Sequence, residues 1–379
     1  GIDVNDQVKG IHGENRFGFE EAAFLLLSGY LPNREELESF QSLIHAFMPL
    51  GQKTKMNILD LEGSNVMNIL ARCVLEMYTF DENPDDTSRD NLMRQSIDLI
   101  SKFPTIIAYA YNIMRHSHGK TLHIRHPKEE YSIAENFLYM LKGEFSELEA
   151  KTLDRALVLH AEHGGGNNST FTVRVTSSSG TDTYSSIAAA IGSLKGPLHG
   201  GANAKVMEML HYVRENTDPA DDGSVTDYLN RLLDREAGDR SGKLYGLGHA
   251  VYTMSDPRAV MLKKYARSMA EKKGFTADFE LLEKIETLGI RLLQERRRSD
   301  TPMCANVDLY SGLVYTMLGI PEELFTPLFA SARISGWCAN RIEEILTGKR
   351  IMRPAYRAVT IRGEYVPIEA RTPQLLPEA

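Results

Sequence analysis

Cysteine is scarce. The 379-residue chain holds three, Cys73, Cys304 and Cys338. They share no metal-binding spacing and make no disulfide framework, which fits a reducing compartment. No apolar run approaches the ~18 residues that a membrane span requires. Positive charge is in deficit: 43 Lys and Arg stand against 51 Asp and Glu, a net charge of -8. A nucleic-acid surface is therefore disfavoured, although a local basic pocket for an acidic small molecule remains open. Alternating strand patterns and a βαβ rhythm are missing, and no internal repeat is present. The first residues, Gly1-Ile2-Asp3-Val4-Asn5-Asp6, read as the interior of a longer chain, so an upstream targeting segment is left open. With nothing pointing elsewhere, the expected location is the cytoplasm.

What dominates is helical periodicity. Hydrophobic residues are 42% and charged residues 25%, as in soluble globular proteins. The pattern predicts helices over Phe19 to Ser28, Arg34 to His45, Ser64 to Met77, and Arg89 to Arg115, where Pro104 marks a break or kink. Further helices are predicted over Ser132 to Leu141, from the capping box Ser146/Glu149 through His163, and over Tyr184 to Leu194. Helices are also predicted over 204–215, Val225 to Glu236 and Glu322 to Leu346. Ala358 to Ile361 and Glu364 to Ile368 alternate around Arg362-Gly363 as a short hairpin. The expected fold is all-α. It comprises a large helical domain (1–203 and 317–379), an inserted smaller helical domain (204–316) and a short C-terminal β-hairpin. Two crossings between domains can act as a hinge.

Four groups of polar residues stand out. Gly196-Pro197-Leu198-His199-Gly200-Gly201-Ala202-Asn203 follows a helix rich in small residues. His199 is its only titratable side chain. The glycines beside it suit a ligand lying against the main chain, or simply a helix C-cap. His163 precedes three glycines and Asn167. It reads equally as a surface histidine stabilised by its helix dipole. His160-Ala161-Glu162-His163 lacks the His-Glu-x-x-His spacing, so no metal is expected. Lys243 to Tyr252 contains Gly246, Gly248 and His249, followed by Asp256-Pro257-Arg258. Its sixth fingerprint position is Val251 and no strand precedes it, so it is not a dinucleotide loop. Arg258 is either a ligand group or a turn residue paired with Asp256. Asp308, in Asn306-Val307-Asp308, is either a helix cap or a half-buried base. Arg333 shares a helix face with Phe329, Ala330, Trp337 and Asn340, surroundings in which a guanidinium needs an anion or a carbonyl. Arg353 lies in Lys349-Arg350-Ile351-Met352-Arg353-Pro354. Arg341, with Glu344 three residues on, reads as solvated surface.

Taken in order and spacing, these segments resemble the citrate synthase family. They include Phe19-Glu20-Glu21-Ala22-Ala23 with Leu25-Leu26-Leu27 and Gly29, Gly-Pro-Leu-His-Gly-Gly-Ala-Asn, Gly-Leu-Gly-His-Ala-Val-Tyr with Asp-Pro-Arg, Asn-Val-Asp-Leu-Tyr-Ser-Gly, Arg333, and Arg353-Pro354. The match covers nearly the whole chain. The family's usual opening segment is absent, and Thr253-Met254-Ser255 stands where a basic residue is common. The resemblance implies condensation of acetyl-CoA with oxaloacetate and hydrolysis of citryl-CoA, the step by which carbon enters the tricarboxylic acid cycle. It implies Asp308 as the base, His199 as hydrogen-bond donor to the thioester carbonyl, and His249 as the group that polarises the ketone. It implies oxaloacetate binding by His163, Asn167, Arg258, Arg333 and Arg353, the last supplied across a homodimer interface. It implies CoA binding by Lys243, Leu244, Gly246, Gly248 and Asn306, largely through backbone. No cofactor, metal, nucleic acid or membrane partner is expected. The competing expectations are a 2-methylcitrate synthase using propionyl-CoA, and a non-catalytic acyl-CoA-binding helical protein.

Overall fold

The computed structural model describes residues 1–61, 63–248, 256–297, 302–348, 350–357, 359, 365 and 367–370. The first ten helices in chain order are α1 (Val4–Gly13), α2 (Phe19–Ser28), α3 (Arg34–Phe47), α4 (Gln52–Asp60), α5 (Val66–Met77), α6 (Arg89–Ser117), α7 (Ile133–Lys142), α8 (Glu147–His160), α9 (Asn168–Ser177) and α10 (Thr183–Lys195). Then come α11 (Ala202–Asn216), α12 (Asp222–Leu233), α13 (Pro257–Lys273), α14 (Thr276–Arg297), α15 (Asp308–Met317) and α16 (Phe325–Thr347). No helix among the described residues is long and apolar enough to cross a membrane.

Local chemistry explains where several helices begin. Ser132 and Ser146 open α7 and α8 with reciprocal bonds to Glu135 and Glu149, satisfying backbone donors that the first turn leaves unpaired. Asp256 accepts from the Arg258 amide, and Pro257 occupies the first turn of α13, where its missing N–H costs nothing. The core is centred on α6, whose Ile100, Phe103, Ile106, Ile107 and Ala110 are fully buried. Pro104 lies inside α6 and does not end it. Dense packing on both sides holds the helix across the single bond that Pro removes. α16 crosses this core, touching α2, α6, α8, α9 and α10. α10 packs on α5 and α9, with Tyr184, Ile187, Ile191 and Leu194 buried.

The helices α11 to α15 pack on one another, and α13 also rests against α8 and α1. One expectation changes here, and another lies largely outside the described residues. α8 stops at His160 rather than His163, because the His160 carbonyl is taken by Arg333 Nε at 2.8 Å. Of the C-terminal hairpin, Ala358, Val366 and residues 360–364 lie outside the described residues. Ile368–Ala370 forms a 3-10 turn, and Val359 and Tyr365 are 94% and 83% exposed. Among the described residues the sole strand-like pairing is an isolated bridge between Leu247 and Ala305.

Candidate active site

The site is assembled from the ends of α8, α10 and α13, the start of α15 and the middle of α16. Asp308 is the first residue of α15, and its side chain makes no cap bond. Its amide is instead held by Asn306 Oδ1 at 3.0 Å. The cap alternative therefore fails. The carboxyl is half-buried, and burial pushes it up to about 6, against the opposing pull of the Arg258 and Arg333 charges. A carboxylate so placed is ionised at neutral pH yet more basic than an exposed one, which suits proton abstraction.

Arg333 is fully buried. Its Nε donates to the His160 carbonyl, and its guanidinium carbon lies 4.7 Å from the Phe329 ring centroid. Its two terminal nitrogens have no hydrogen-bond partner among the described residues. Desolvation lowers its pKa to about 10, and Glu162 is the leading charge that opposes this. A guanidinium paired on one side and bare on the other is arranged for an incoming anion, preferably a carboxylate gripped through two bonds. Arg258 is forked onto Asp256, with Nε to Oδ1 at 3.0 Å and a terminal nitrogen to Oδ2 at 2.9 Å. That is the turn pairing weighed above, and its charge still reaches Asp308.

His199 follows α10 in a tight turn closed by its own amide on the Gly196 carbonyl. The Ser169 amide donates to its Nε2 at 3.3 Å, and Ser169 Oγ lies 3.0 Å from the same nitrogen. An amide N–H can only donate, so Nε2 carries the lone pair and the proton sits on Nδ1. Burial and the Arg333 charge both lower the His199 pKa. The ring is therefore neutral and presents an Nδ1–H donor. Trp337 Nε1 donates to Ser169 Oγ at 3.2 Å, and Asn167 Oδ1 accepts from the Ser169 amide and lies 2.9 Å from Oγ, whose single proton serves His199 Nε2 in this tautomer. Asn167 thus caps α9 with its oxygen, leaving its amide nitrogen for other partners. Sequence reasoning missed Ser169 and Trp337, because neither stands in a motif with His199.

Gly200 and Gly201 have a packing reason. A Cβ on Gly200 would lie 2.1 Å from the Leu194 carbonyl oxygen and 2.6 Å from Thr326, and one on Gly201 would lie 2.9 Å from the Pro197 oxygen. They let the turn fold back on α10, where the sequence suggested room for a ligand. His163 is half-buried, three residues beyond the end of α8. Arg353 is exposed.

The 243–248 loop runs beside 304–308. Gly248 N donates to the Cys304 carbonyl at 2.8 Å, and Asn306 N to the Gly246 carbonyl at 2.9 Å. Asn306 Nδ2 also reaches the Gly248 carbonyl. Gly246 has φ +81°, and a Cβ there would meet Leu309 at 2.9 Å. Leu244 is buried and packs toward Gly289, so its side chain faces the core, while Lys243 is exposed. His249 lies outside the described residues, as do Thr253, Met254 and Ser255. Arg341 contradicts its expected surface role. It is 1% exposed and bonds Thr183 Oγ1, Ser177 Oγ, Ser186 Oγ and the Thr181 carbonyl. Glu344 pairs instead with Arg174, at 3.1 Å. Among the described residues, no group of His, Cys, Asp and Glu is arranged to hold a metal ion.

A family model described as citrate synthase, C-terminal domain, matches residues 1–355. The chain is 39% identical over 356 residues to a citrate synthase of Deinococcus radiodurans, covering 93% of this chain and 88% of that protein. It is 35% identical over 338 residues to a Bacillus subtilis protein named citrate/2-methylcitrate synthase, covering 88% and 84%. It superimposes with a TM-score of 0.82 and 27% identity on a Thermoplasma acidophilum citrate synthase, covering 96% of this chain and 91% of that one. That structure is a ternary complex with carboxymethyl coenzyme A and oxaloacetate. With a guanidinium whose terminal nitrogens are unpaired among the described residues, a basic carboxylate within reach of its charge, and similarity along nearly its whole length, the chain belongs to the citrate synthase family, acyltransferases that join acetyl-CoA to oxaloacetate.

Proposed function

We propose that this cleft condenses acetyl-CoA with oxaloacetate, with Asp308 as base and His199 as the donor facing the thioester oxygen. The observation that carries this is the pairing of a desolvated, ionised Asp308 with an Arg333 whose terminal nitrogens are unpaired. Asp308 takes a methyl proton from acetyl-CoA. A thioester α-proton is too weak an acid for a carboxylate alone, so the neutral His199 donates Nδ1–H to the oxygen on which charge develops. Donors of that kind contribute roughly 10²–10³ in rate, and general bases about 10²–10⁴. The enolate carbon attacks the oxaloacetate ketone, and the resulting citryl thioester is hydrolysed to citrate and CoA. His249 is assigned the ketone oxygen by family resemblance. Arg333 and Arg258, with His163 and Asn167, receive the oxaloacetate carboxylates. The 243–248 loop and Asn306 receive CoA through main-chain groups, with Lys243 at the rim. Helices α11 to α15 act as a smaller domain (204–316) that closes over the cleft and excludes water from the enolate.

The working unit is a homodimer in which Arg353 serves the partner's cleft. Its exposure, and its lack of an ion pair among the described residues, support this. The expected location is the cytoplasm. Release of free thiol from acetyl-CoA, dependent on oxaloacetate, tests the reaction, and its absence would remove the proposal. The same assay with propionyl-CoA tests the second reading, favoured by the relative named for both citrate and 2-methylcitrate. One methylene is worth about 1–3 kcal/mol in a pocket, so a graded preference is expected, with acetyl-CoA ahead. Mixing Arg353→Ala with Asp308→Asn protein restores part of the activity if the site is shared; no recovery in confirmed mixed dimers rejects the sharing.

A further inference from the structure

A cavity of about 760 Å³ lies where α13 meets α8 and α1, outside the residues assigned to the reaction. Lys9 and His12 reach it from α1, Lys151 and Arg155 from α8, and Lys264 from α13. Among its described lining residues Glu147 is the acidic one. Four permanent cations thus face one carboxylate, in a chain whose net charge is -8.

Local partners cancel part of this charge, Glu147 at Lys151 and Asp154 at Arg155, and leave Lys264 and Lys9 as the least compensated cations. Lys264 makes no ion pair among the described residues. Lys9 is 3.9 Å from Asp6, with both side chains mostly in solvent, where such pairs hold weakly. Lys151 is the cation that Glu147 does engage, at 2.6 Å. Arg155 is 2% exposed; Asp154 and the Arg16 carbonyl hold its terminal nitrogens and the Tyr265 hydroxyl bonds the same guanidinium, while its Nε has no partner among the described residues. Asp154 in turn accepts the Gly18 and Phe19 amides, so its charge is shared with the start of α2. A buried donor without an acceptor is costly unless something arrives to accept. The remaining wall is mixed: Met261 and Tyr265 from α13 and Leu148 from α8 supply its apolar part, beside the polar Asn5, Asn15, Thr152 and Ser268.

The two long walls lead to the catalytic cleft. α8 ends at His160, whose carbonyl holds Arg333, and α13 begins beside Arg258. At their other ends Lys273 of α13 pairs with Glu149 of α8 at 2.9 Å. We propose that this cavity is a second binding site, for an organic phosphate whose anionic end is held by Lys9, Lys151, Arg155 and Lys264 and whose flat apolar part lies on Tyr265 and Met261. Charge-assisted bonds from three helices suit a multiply charged anion, and the aromatic wall selects an organic ester over a bare ion.

Calorimetric binding of 1-naphthyl phosphate and of inorganic phosphate to the intact protein, at low ionic strength, tests this. Saturable binding of one naphthyl phosphate per chain is expected, about tenfold tighter than inorganic phosphate. Lys264→Glu weakens it by about tenfold or more, with the thermal midpoint and the condensation rate without probe unchanged. Tyr265→Ala abolishes the preference for the naphthyl ester, and Arg333→Leu, in the catalytic cleft, leaves binding intact. Absent binding, binding indifferent to Lys264→Glu, or binding lost with Arg333→Leu overturns the proposal. Should Lys264→Glu not fold, Lys9→Glu on the facing wall is expected to give the same loss, and indifference to it overturns the site equally. The readout is binding, so the outcome stands apart from whether the chain condenses acetyl-CoA.

Discussion

Arg333 and Arg341 sit about two turns apart on α16, both with essentially no exposure. Their surroundings differ in one respect. Arg341 is surrounded by three hydroxyls and a carbonyl that accept from its Nε and both terminal nitrogens. Arg333 has a single bond, through Nε, and its terminal nitrogens are bare. Burial lowers the pKa of each to about 10, so desolvation alone does not distinguish a ligand-binding arginine from a structural one. Unsatisfied donors do. A buried charge that is fully bonded stabilises its own neighbourhood, whereas one left partly bare is a cost that only a ligand offsets.

The largest effect is expected at Asp308. Asp308→Asn should lower kcat by about 10²–10⁴-fold while oxaloacetate binding stays measurable; a near-normal rate would mean that another group is the base. The same variant sharpens the contrast between function and stability. Burial pushes the folded-state pKa of Asp308 up to about 6, above the ordinary aspartate range. The folded state therefore holds its proton more tightly than the unfolded chain, and stability from this group falls as pH rises from about 4 to 6. Removing the charge should raise stability at pH 7 by about 1–2 kcal/mol, less than the full shift implies because the residue is half-exposed to the cleft. Unfolding in urea at pH 7 measures it.

Next come the two arginines. Arg333→Leu should raise the KM for oxaloacetate about 10²-fold and leave the ligand-free protein as stable as before, or more so, since an underbonded charge is gone. Arg341→Leu should do the reverse: a loss of about 3 kcal/mol in urea unfolding, from stranded hydroxyls and a cavity, with KM nearly unchanged in what folds. Equal behaviour of the two variants would erase the distinction. Ser169→Ala is smaller, about tenfold in kcat, because it removes the hydroxyl at His199 Nε2 but leaves the amide donor. The smallest is a pH effect: kcat/KM should halve near pH 6 and fall about tenfold per unit below it, as Asp308 takes up its proton. A profile flat to pH 5 would contradict the assignment.

Much of the architecture was legible because helices announce themselves locally. α2 ends at Ser28 with Gly29 left-handed, as its pattern requires, and the Ser146/Glu149 box begins α8. Other helices were not read: α1, α4, α9, α13 and α14 carry weaker or interrupted apolar stripes, and tertiary contact stabilises them. The polar motifs around His199, Arg258, Asp308 and Arg333 could be picked out in the sequence, each with a bland alternative beside it.

By itself the sequence determined a helical chain, its main boundaries and a short set of candidate polar residues, since these depend on period, capping and residue type within a few turns. Only the tertiary structure decided which arginine is saturated and which is bare, that Asp308 is no cap, and that Ser169 sets the tautomer of His199. Those outcomes depend on partners far away in the chain, 30 residues for Ser169 and His199 and 173 for Arg333 and His160. Hydrogen-bond satisfaction is a property of three-dimensional neighbours, and no local pattern encodes it.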